Sequence, residues 1–158
     1  MFIFFIIYYG SRIKNLFGGY QMKTKTINQT VIITGASPHK LYEIFMDEKK
    51  HAKLVNSTAK ISRAIGEGFE IYDGYIDGTN IELIQNKKIV QNWRGEEDCW
   101  PKEHYSKLTI TFEKDKDGTR ATLLQEGVPE ECVEDFDNGW YEFYWNPMQE
   151  LFKFSLNK

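Results

Sequence analysis

The chain has 158 residues, a length that suits one domain with a single hydrophobic core. Its 41% hydrophobic and 27% charged residues are typical of a globular protein, while a net charge of -3 with no basic tract argues against a nucleic-acid-binding protein. Aromatic residues make up 15% of the chain, which indicates either a core built from large rings or a cavity lined by them.

The chain begins with MFIFFIIYYG, in which an apolar run follows the first methionine. A helix of that length spans about 12 Å, far less than the hydrocarbon core of roughly 30 Å, so no transmembrane span is predicted. A signal peptide fits poorly, because Arg12 and Lys14 follow the apolar run instead of preceding it. We expect either a disordered apolar extension over residues 1–21 or a true start at Met22, and we favour the second. The domain itself is predicted over residues 22–158.

Residues 24–34, TKTINQTVIIT, are rich in β-branched side chains and predict a first strand. The following GASPHKLYEIFMD predicts a helix, with Ser37 as N-cap and Pro38 at the first helical position. DEKKHAKLVN then indicates a second short helix. Further along, alternating segments separated by glycine-rich turns predict a meander, with turns near residues 73–74, 77–78 and 117–118, where both residues of the last pair tolerate a positive φ.

Side-chain alternation decides which residues of the meander face the core. It places Trp93 and Arg94 on opposite faces of one strand, so the two cannot line the same cavity. In the strand that begins at His104, alternate apolar residues share one face and predict a half-buried antiparallel strand with one wet side.

The last part of the chain changes to a helical period. Its large side chains fall on one broad stripe: Phe136, Trp140, Phe143, Tyr144, Pro147, Met148, Leu151 and Phe154. Pro147 lacks an N–H group and is expected to kink the helix. We expect Trp140 to be buried in the centre of the core and Trp145 to face the rim of the sheet.

These elements predict an α+β fold of the helix-grip type. One strand, two short helices, about six further antiparallel strands and a long amphipathic helix follow one another. A curved antiparallel sheet of six to seven strands must cover its apolar face, and the C-terminal helix is the element available to fill it.

The sequence offers little support for catalysis. His39, His51 and His104 are not spaced with acids, serines or cysteines as a catalytic triad or metal site requires, so we expect no enzyme, metal or cofactor. Cys99 and Cys132 belong to no CxxC motif. They either form one disulfide or stay as free thiols in a reducing compartment, and the second is the simpler interpretation.

Six stretches occur in an order that carries a family resemblance: GYIDGTNIELI (74–84), KKIVQNWR (87–94), WPKEHYSKLTITF (100–112), GT (118–119), LLQEGVP (123–129) and GWYEFYWNPMQELF (139–152). Together they resemble the activator of heat-shock protein 90 (Hsp90) ATPase homologues, within the START-like superfamily, and above all the C-terminal domain of that co-chaperone. The resemblance covers nearly everything from about residue 24 to 155.

The resemblance implies Hsp90 as a partner and a cytoplasmic location. In two-domain members of the family, an N-terminal domain binds the middle segment of the chaperone, and the C-terminal domain contacts its dimerised nucleotide-binding domains. Only some 22 residues precede the first predicted strand, so we expect that N-terminal domain to be missing. Strong stimulation of the ATPase is then doubtful, because a single contact lacks the effective-concentration gain of two linked modules.

Two sets of residues follow as expectations. The partner-binding candidates lie on or beside an acidic loop: Arg94, Glu96, Glu97, Asp98 and Trp100, with Trp100 either an exposed anchor or, as we favour, a cap on the core. The superfamily also contains carriers of lipids and other hydrophobic molecules, whose cavity would here be lined by Phe69, Ile71, Trp93, Leu108, Ile110, Phe112, Trp140, Tyr144 and Met148. An open cavity favours the carrier, and a filled one favours the partner-binding module.

Overall fold

The computed structural model describes residues 13–14 and 20–153. The apolar segment predicted over residues 1–21 therefore lies almost entirely outside the described part of the chain, as does Phe154. Within that part, β1 (Ile13–Lys14) and β2 (Tyr20–Gln21) form a small antiparallel pair.

The main sheet has seven strands and is antiparallel throughout, which confirms the predicted curved sheet. Its strands are β3 (Thr24–Thr34), β4 (Ala59–Ile61), β5 (Gly68–Ile71), β6 (Ile76–Ile84), β7 (Lys88–Gly95), β8 (Ser106–Asp115) and β9 (Gly118–Pro129), in the spatial order β3-β9-β8-β7-β6-β5-β4. All connections from β4 to β9 are between neighbours, and only β3 pairs with a strand distant in sequence, β9. The alternating faces are as predicted, since Leu108, Ile110 and Phe112 of β8 are all buried.

Two short helices follow β3, also as predicted. The helix α1 (Pro38–Met46) begins after Ser37, whose side chain accepts a hydrogen bond from the Lys40 backbone N–H, and Pro38 occupies the first turn. The helix α2 (Glu48–Val55) begins after Asp47, which caps it in the same way.

The predicted turns are only partly right. Asp73 and Gly74 form a turn with φ values of 55° and 89°. Residues 77–78, in contrast, lie inside β6, so the turn predicted there is wrong. Gly78 serves packing instead: a Cβ atom at this position would lie 2.7 Å from the ring of Phe69 on the neighbouring strand.

The β8–β9 hairpin exists, but its chemistry differs from the prediction. Asp115 pairs with Gly118, so the two-residue loop is Lys116–Asp117, and neither Asp117 nor Gly118 has a positive φ. Gly118 is needed because a side chain there would clash with the carbonyl oxygen of Ile33 on β3. The glycine thus permits close strand approach and does not set the turn type.

The C-terminal helical region runs through several segments. A 3-10 turn (Glu130–Cys132) leads into α3 (Val133–Trp140), a π-helical turn (Tyr141–Trp145) and α4 (Asn146–Lys153). In the π turn the Asn146 N–H donates to the carbonyl of Tyr141, five residues back, immediately before Pro147. The helical region therefore accommodates Pro147 next to a π turn, which is an irregularity in the pattern of backbone hydrogen bonds.

This π turn changes which side chains are buried. It adds one residue to a helical turn, so the apolar stripe moves by one position after Trp140. Trp145 and Phe152 are buried, whereas Phe143 and Leu151 are 47% and 44% exposed. The stripe predicted from an uninterrupted helix was wrong for Phe143 and Leu151, and Trp145 lies in the core and not at the rim.

Candidate functional site

The three histidines each make a structural contact. His39 Nδ1 lies 3.0 Å from Asn86 Oδ1, and the Nε2–H of His104 donates to the carbonyl of Gly127 at 2.5 Å. His51 Nε2 lies 3.2 Å from the Tyr144 hydroxyl in the core, and burial lowers the pKa of His51 to about 4. Within the described residues, no group of three or more histidines, cysteines or carboxylates is placed to hold a metal ion.

The space between the sheet and the helix, called here the centre of the interface, is filled. All nine side chains predicted to line a cavity are buried, and six of them surround a space of only about 20 Å³: Phe69, Ile71, Trp93, Leu108, Trp140 and Tyr144. That is room for about one water molecule. Phe45 of α1 contributes to the filling, because its ring stacks on Tyr144 at 5.8 Å and tilts against Phe112 at 5.9 Å.

Buried amides hold the helix to the sheet, a feature that sequence reasoning missed. The indole N–H of Trp145 donates to Gln29 Oε1 at 2.7 Å, and that of Trp140 donates to Gln125 Oε1 at 2.9 Å. Gln29 also donates to Asp137 at the level of α3. The signal was present in the strand alternation, since Gln29 and Gln125 occupy inward positions among apolar residues.

An open cleft of about 420 Å³ lies at one end of this interface, and we call it the aromatic cleft. Its walls are mainly large rings from the sheet and from the C-terminal helical region: Tyr72, Tyr75, Trp93, Phe136, Trp140 and Phe143. The rings of Trp93 and Phe136 meet edge to face at 5.5 Å, and Tyr72 meets Phe143 at 6.3 Å. Only Trp93, Trp140 and Tyr144 of the nine predicted lining residues reach this cleft.

Two glycines affect the aromatic cleft in different ways. Gly139 lines it directly, so the helix presents no side chain at that point. Gly95 does not line it, but lets the ring of Phe136 pack closely, because a Cβ atom there would lie 2.5 Å from that ring. Neither role could be predicted from a sequence motif.

Two carboxylates, Glu97 and Asp135, lie among the cleft's lining residues. The Tyr75 hydroxyl donates to Glu97 Oε1. Burial, the bond to Glu97 and the charges of Glu97 and Asp135 all raise the pKa of Tyr75, so its hydroxyl stays protonated. None of the described residues that line the cleft is basic.

The five predicted partner-binding residues meet on one surface, a groove of about 600 Å³ that we call the charged groove. Arg94 lies on the face opposite Trp93, as predicted, and binds the Asp77 carboxylate through two hydrogen bonds of 2.9 and 2.8 Å. Glu96, Glu97 and Asp98 are exposed. Trp100 is only 4% exposed, so it caps the core and is not an exposed anchor. Its ring packs against Phe136 at 5.1 Å, and its N–H donates to the carbonyl of His104.

A disulfide joins Cys99 to Cys132, so the interpretation of two free thiols is wrong for this structure. The β7–β8 loop folds back onto the 3-10 turn and brings the two Cα atoms to 5.8 Å, although the residues are 33 apart in sequence. Sequence spacing could not reveal this approach. The bond ties the loop that carries Glu97 to the segment that carries Asp135.

The fold and this site define a helix-grip protein with a filled interior. The chain matches the sequence model of the family described as "Activator of Hsp90 ATPase homolog 1-like protein" over residues 35–153, and it belongs to that family. This confirms the resemblance read from the sequence. None of the helices described in residues 13–14 and 20–153 has the length and apolar character needed to cross a membrane.

Curated relatives include Hsp90 activators from several organisms. The chain is 28% identical over 128 residues to the human activator of 90 kDa heat shock protein ATPase homolog 1, covering 80% of this chain and 36% of the relative. It is 32% identical over 120 residues to the Dictyostelium discoideum homologue, covering 75% of this chain and 31% of the relative. The chain thus spans about a third of the length of these curated relatives.

Solved structures support the fold. An Hsp90 activator from Plasmodium falciparum superposes with a TM-score of 0.71 at 22% identity, covering 83% of this chain and 96% of that one. The solution structure of an Aha1 dimer from Colwellia psychrerythraea gives a TM-score of 0.65 at 18% identity, covering 77% of this chain and 92% of that one.

Proposed function

We propose that this chain is a non-catalytic, co-chaperone-like module that binds Hsp90 and modulates its ATPase activity. The observation that carries the proposal is the filled interior, which leaves about 20 Å³ between sheet and helix in a chain of this family. A filled interior gives a rigid scaffold for surface contacts and little room for a central ligand. The charged groove supplies exposed carboxylates that suit a basic surface on the chaperone.

The test is a binding and ATPase measurement with purified Hsp90. We expect the chain to bind Hsp90 and to change its ATPase rate, although modestly if it makes a single contact. The double variant Glu96→Lys with Asp98→Lys should weaken binding at least tenfold at low salt, because it reverses charge in the groove. Glu113→Lys, an exposed acid on β8, is the matched control and should bind like the wild type. Neither binding nor any rate change by the wild-type chain would overturn the proposal.

A second candidate function is the carriage of a small hydrophobic molecule. The observation in its favour is the aromatic cleft, whose 420 Å³ falls in the range of small-molecule sites. Native mass spectrometry of the protein purified from its own cells should then reveal an added small-molecule mass. Gly139→Leu should abolish that mass by filling the cleft, whereas Asn138→Leu, on the neighbouring exposed position, should retain it. Repeated absence of any added mass in the wild type would count against carriage.

We also propose a cytoplasmic location, in keeping with an Hsp90 partner. The Cys99–Cys132 disulfide is the observation that opposes it, because disulfides are rare in reducing compartments. Acid quenching of cells followed by thiol alkylation measures how much of the protein carries the bond. We expect mostly reduced protein, and a fully oxidised pool would contradict the location.

A further inference from the structure

The aromatic cleft combines three features that together define a class of ligand. Its walls present the faces and edges of large rings, and its only described ionisable groups besides tyrosine are the two carboxylates Glu97 and Asp135. An apolar site with negative charge and no base disfavours anions. It favours a ligand with an apolar body and a positive charge.

The Glu97 carboxylate and the loop that carries it are held in place. Glu97 accepts the hydrogen bond from Tyr75, and the disulfide two residues further along the loop anchors that loop to Cys132, three residues before Asp135. When the disulfide is formed, the loop and the start of α3 are covalently tied, so the backbone that carries the two carboxylates needs little ordering when a ligand binds. Preorganisation of this kind reduces the entropic cost of binding.

A polar atom in the cleft wall also lacks a partner. The hydroxyl oxygen of Tyr72 is buried and has no hydrogen-bond partner among the described residues. An unpaired buried hydroxyl costs free energy, so a ligand group that reaches it gains a bond without displacing another. The hydroxyl can accept from an ammonium group or donate to a carboxylate, so the preference for a cation comes from Glu97 and Asp135.

We infer that the aromatic cleft is a binding site for small apolar amines, that is, for a molecule with an aromatic or aliphatic body and a protonated amino group. The body lies against Trp93, Phe136 and Trp140, and the cation lies at Glu97 and Asp135. This inference rests on the second candidate function, whose site and ligand class it names, and its site shares Tyr75 and Glu97 with the charged groove.

Three probes of similar shape test the inference on the full chain. They are 1-naphthylmethylamine, the neutral 1-naphthalenemethanol and the anionic 1-naphthoate, each titrated by calorimetry and by NMR of the labelled protein. We expect the amine to bind roughly tenfold more tightly than the alcohol at low salt, with no detectable binding of the carboxylate. NMR shifts should centre on the indole signals of Trp93 and Trp140.

Variants separate charge recognition from apolar binding. Glu97→Gln with Asp135→Asn should abolish the preference for the amine over the alcohol while the alcohol still binds. Glu96→Gln, which changes an adjacent exposed acid of the charged groove, should leave the preference unchanged. Equal binding of all three probes to the wild type would overturn the amine inference but leave hydrophobic carriage standing. If no probe binds, the amine inference fails, whereas native mass spectrometry still decides carriage and the Hsp90 measurement decides the first proposal.

Discussion

The centre of the sheet–helix interface and the aromatic cleft are built from the same kinds of residue but end in opposite states. In the centre, Trp140 and Trp145 donate their indole N–H groups to buried glutamines, and about 20 Å³ remains. At the cleft, Gly139 leaves the helix without a side chain, and about 420 Å³ is open. Aromatic content alone therefore does not determine whether the space is filled or open. The polar partners in the centre and the missing side chain at the cleft distinguish the two regions.

The largest expected effect comes from emptying the centre. Trp145→Ala removes a fully buried ring and leaves the side-chain oxygen Oε1 of Gln29 without its donor. We therefore expect a loss of about 5 kcal/mol in the free energy of unfolding. Phe143→Ala removes a ring that is 47% exposed at the cleft and should cost less than about 1 kcal/mol. Urea denaturation measures both. Equal losses would show that the two regions do not differ in packing.

The second largest effect is expected from removing the disulfide, which joins the two segments that carry the cleft residues Glu97 and Asp135. Replacing Cys99 and Cys132 by serine opens a loop that spans 33 residues, and the chain-entropy relation gives a loss of up to about 4 kcal/mol. Hydrogen exchange should become faster in residues 96–104 and 130–136 and stay slow at Trp145 in the centre. An unchanged urea midpoint would mean that the bond contributes nothing to stability.

The buried histidine gives the centre a dependence on pH. Because the pKa of His51 falls from its usual value of 6.5 to about 4 in the folded protein, the unfolded chain takes up a proton there that the folded chain does not. Stability is therefore lost as the pH falls from about 6.5 to 4, by roughly 3 kcal/mol in total. His51→Gln should remove this part of the loss, and His39→Gln, at a more exposed position, should retain it. A wild-type profile in the His51 variant would contradict the assignment.

The smallest effect is expected at the ion pair of the charged groove. Arg94→Gln breaks its two hydrogen bonds to Asp77, but both side chains are more than a quarter exposed, so we expect a loss of about 1 kcal/mol or less. The loss should shrink in high salt. A loss above about 2 kcal/mol would mean that the groove is part of the packed core.

Much of the fold could be predicted from the sequence because its signals are local. The first strand, the N-cap at Ser37 with Pro38 in the first turn, and the inward face of β8 all follow from propensity and alternation. The predicted burial of side chains after Trp140 is partly wrong because a π turn adds one residue to a helical turn and so rotates the following side chains. The turn predicted at Gly78 is wrong because glycine serves both turns and close packing, and here it serves packing.

The candidate site was less predictable, because it depends on contacts between distant segments. Alternation placed Trp93 and Arg94 on opposite faces and so brought Arg94 correctly to the surface groove with Glu96 and Asp98. The aromatic cleft, however, needs Tyr75 of the β5–β6 connection to meet Asp135 of α3, and no spacing rule relates the two. The disulfide was missed for the same reason.

The division between a filled scaffold and a binding end is tested most directly by NMR shift mapping with unlabelled Hsp90. We expect signals from residues 74–77 and 94–102 to shift or broaden on addition of the chaperone, while the indole signal of Trp145 in the centre keeps its position. Shifts confined to α1 and α2, or no shifts at chaperone concentrations well above those of a specific complex, would contradict the proposed binding end.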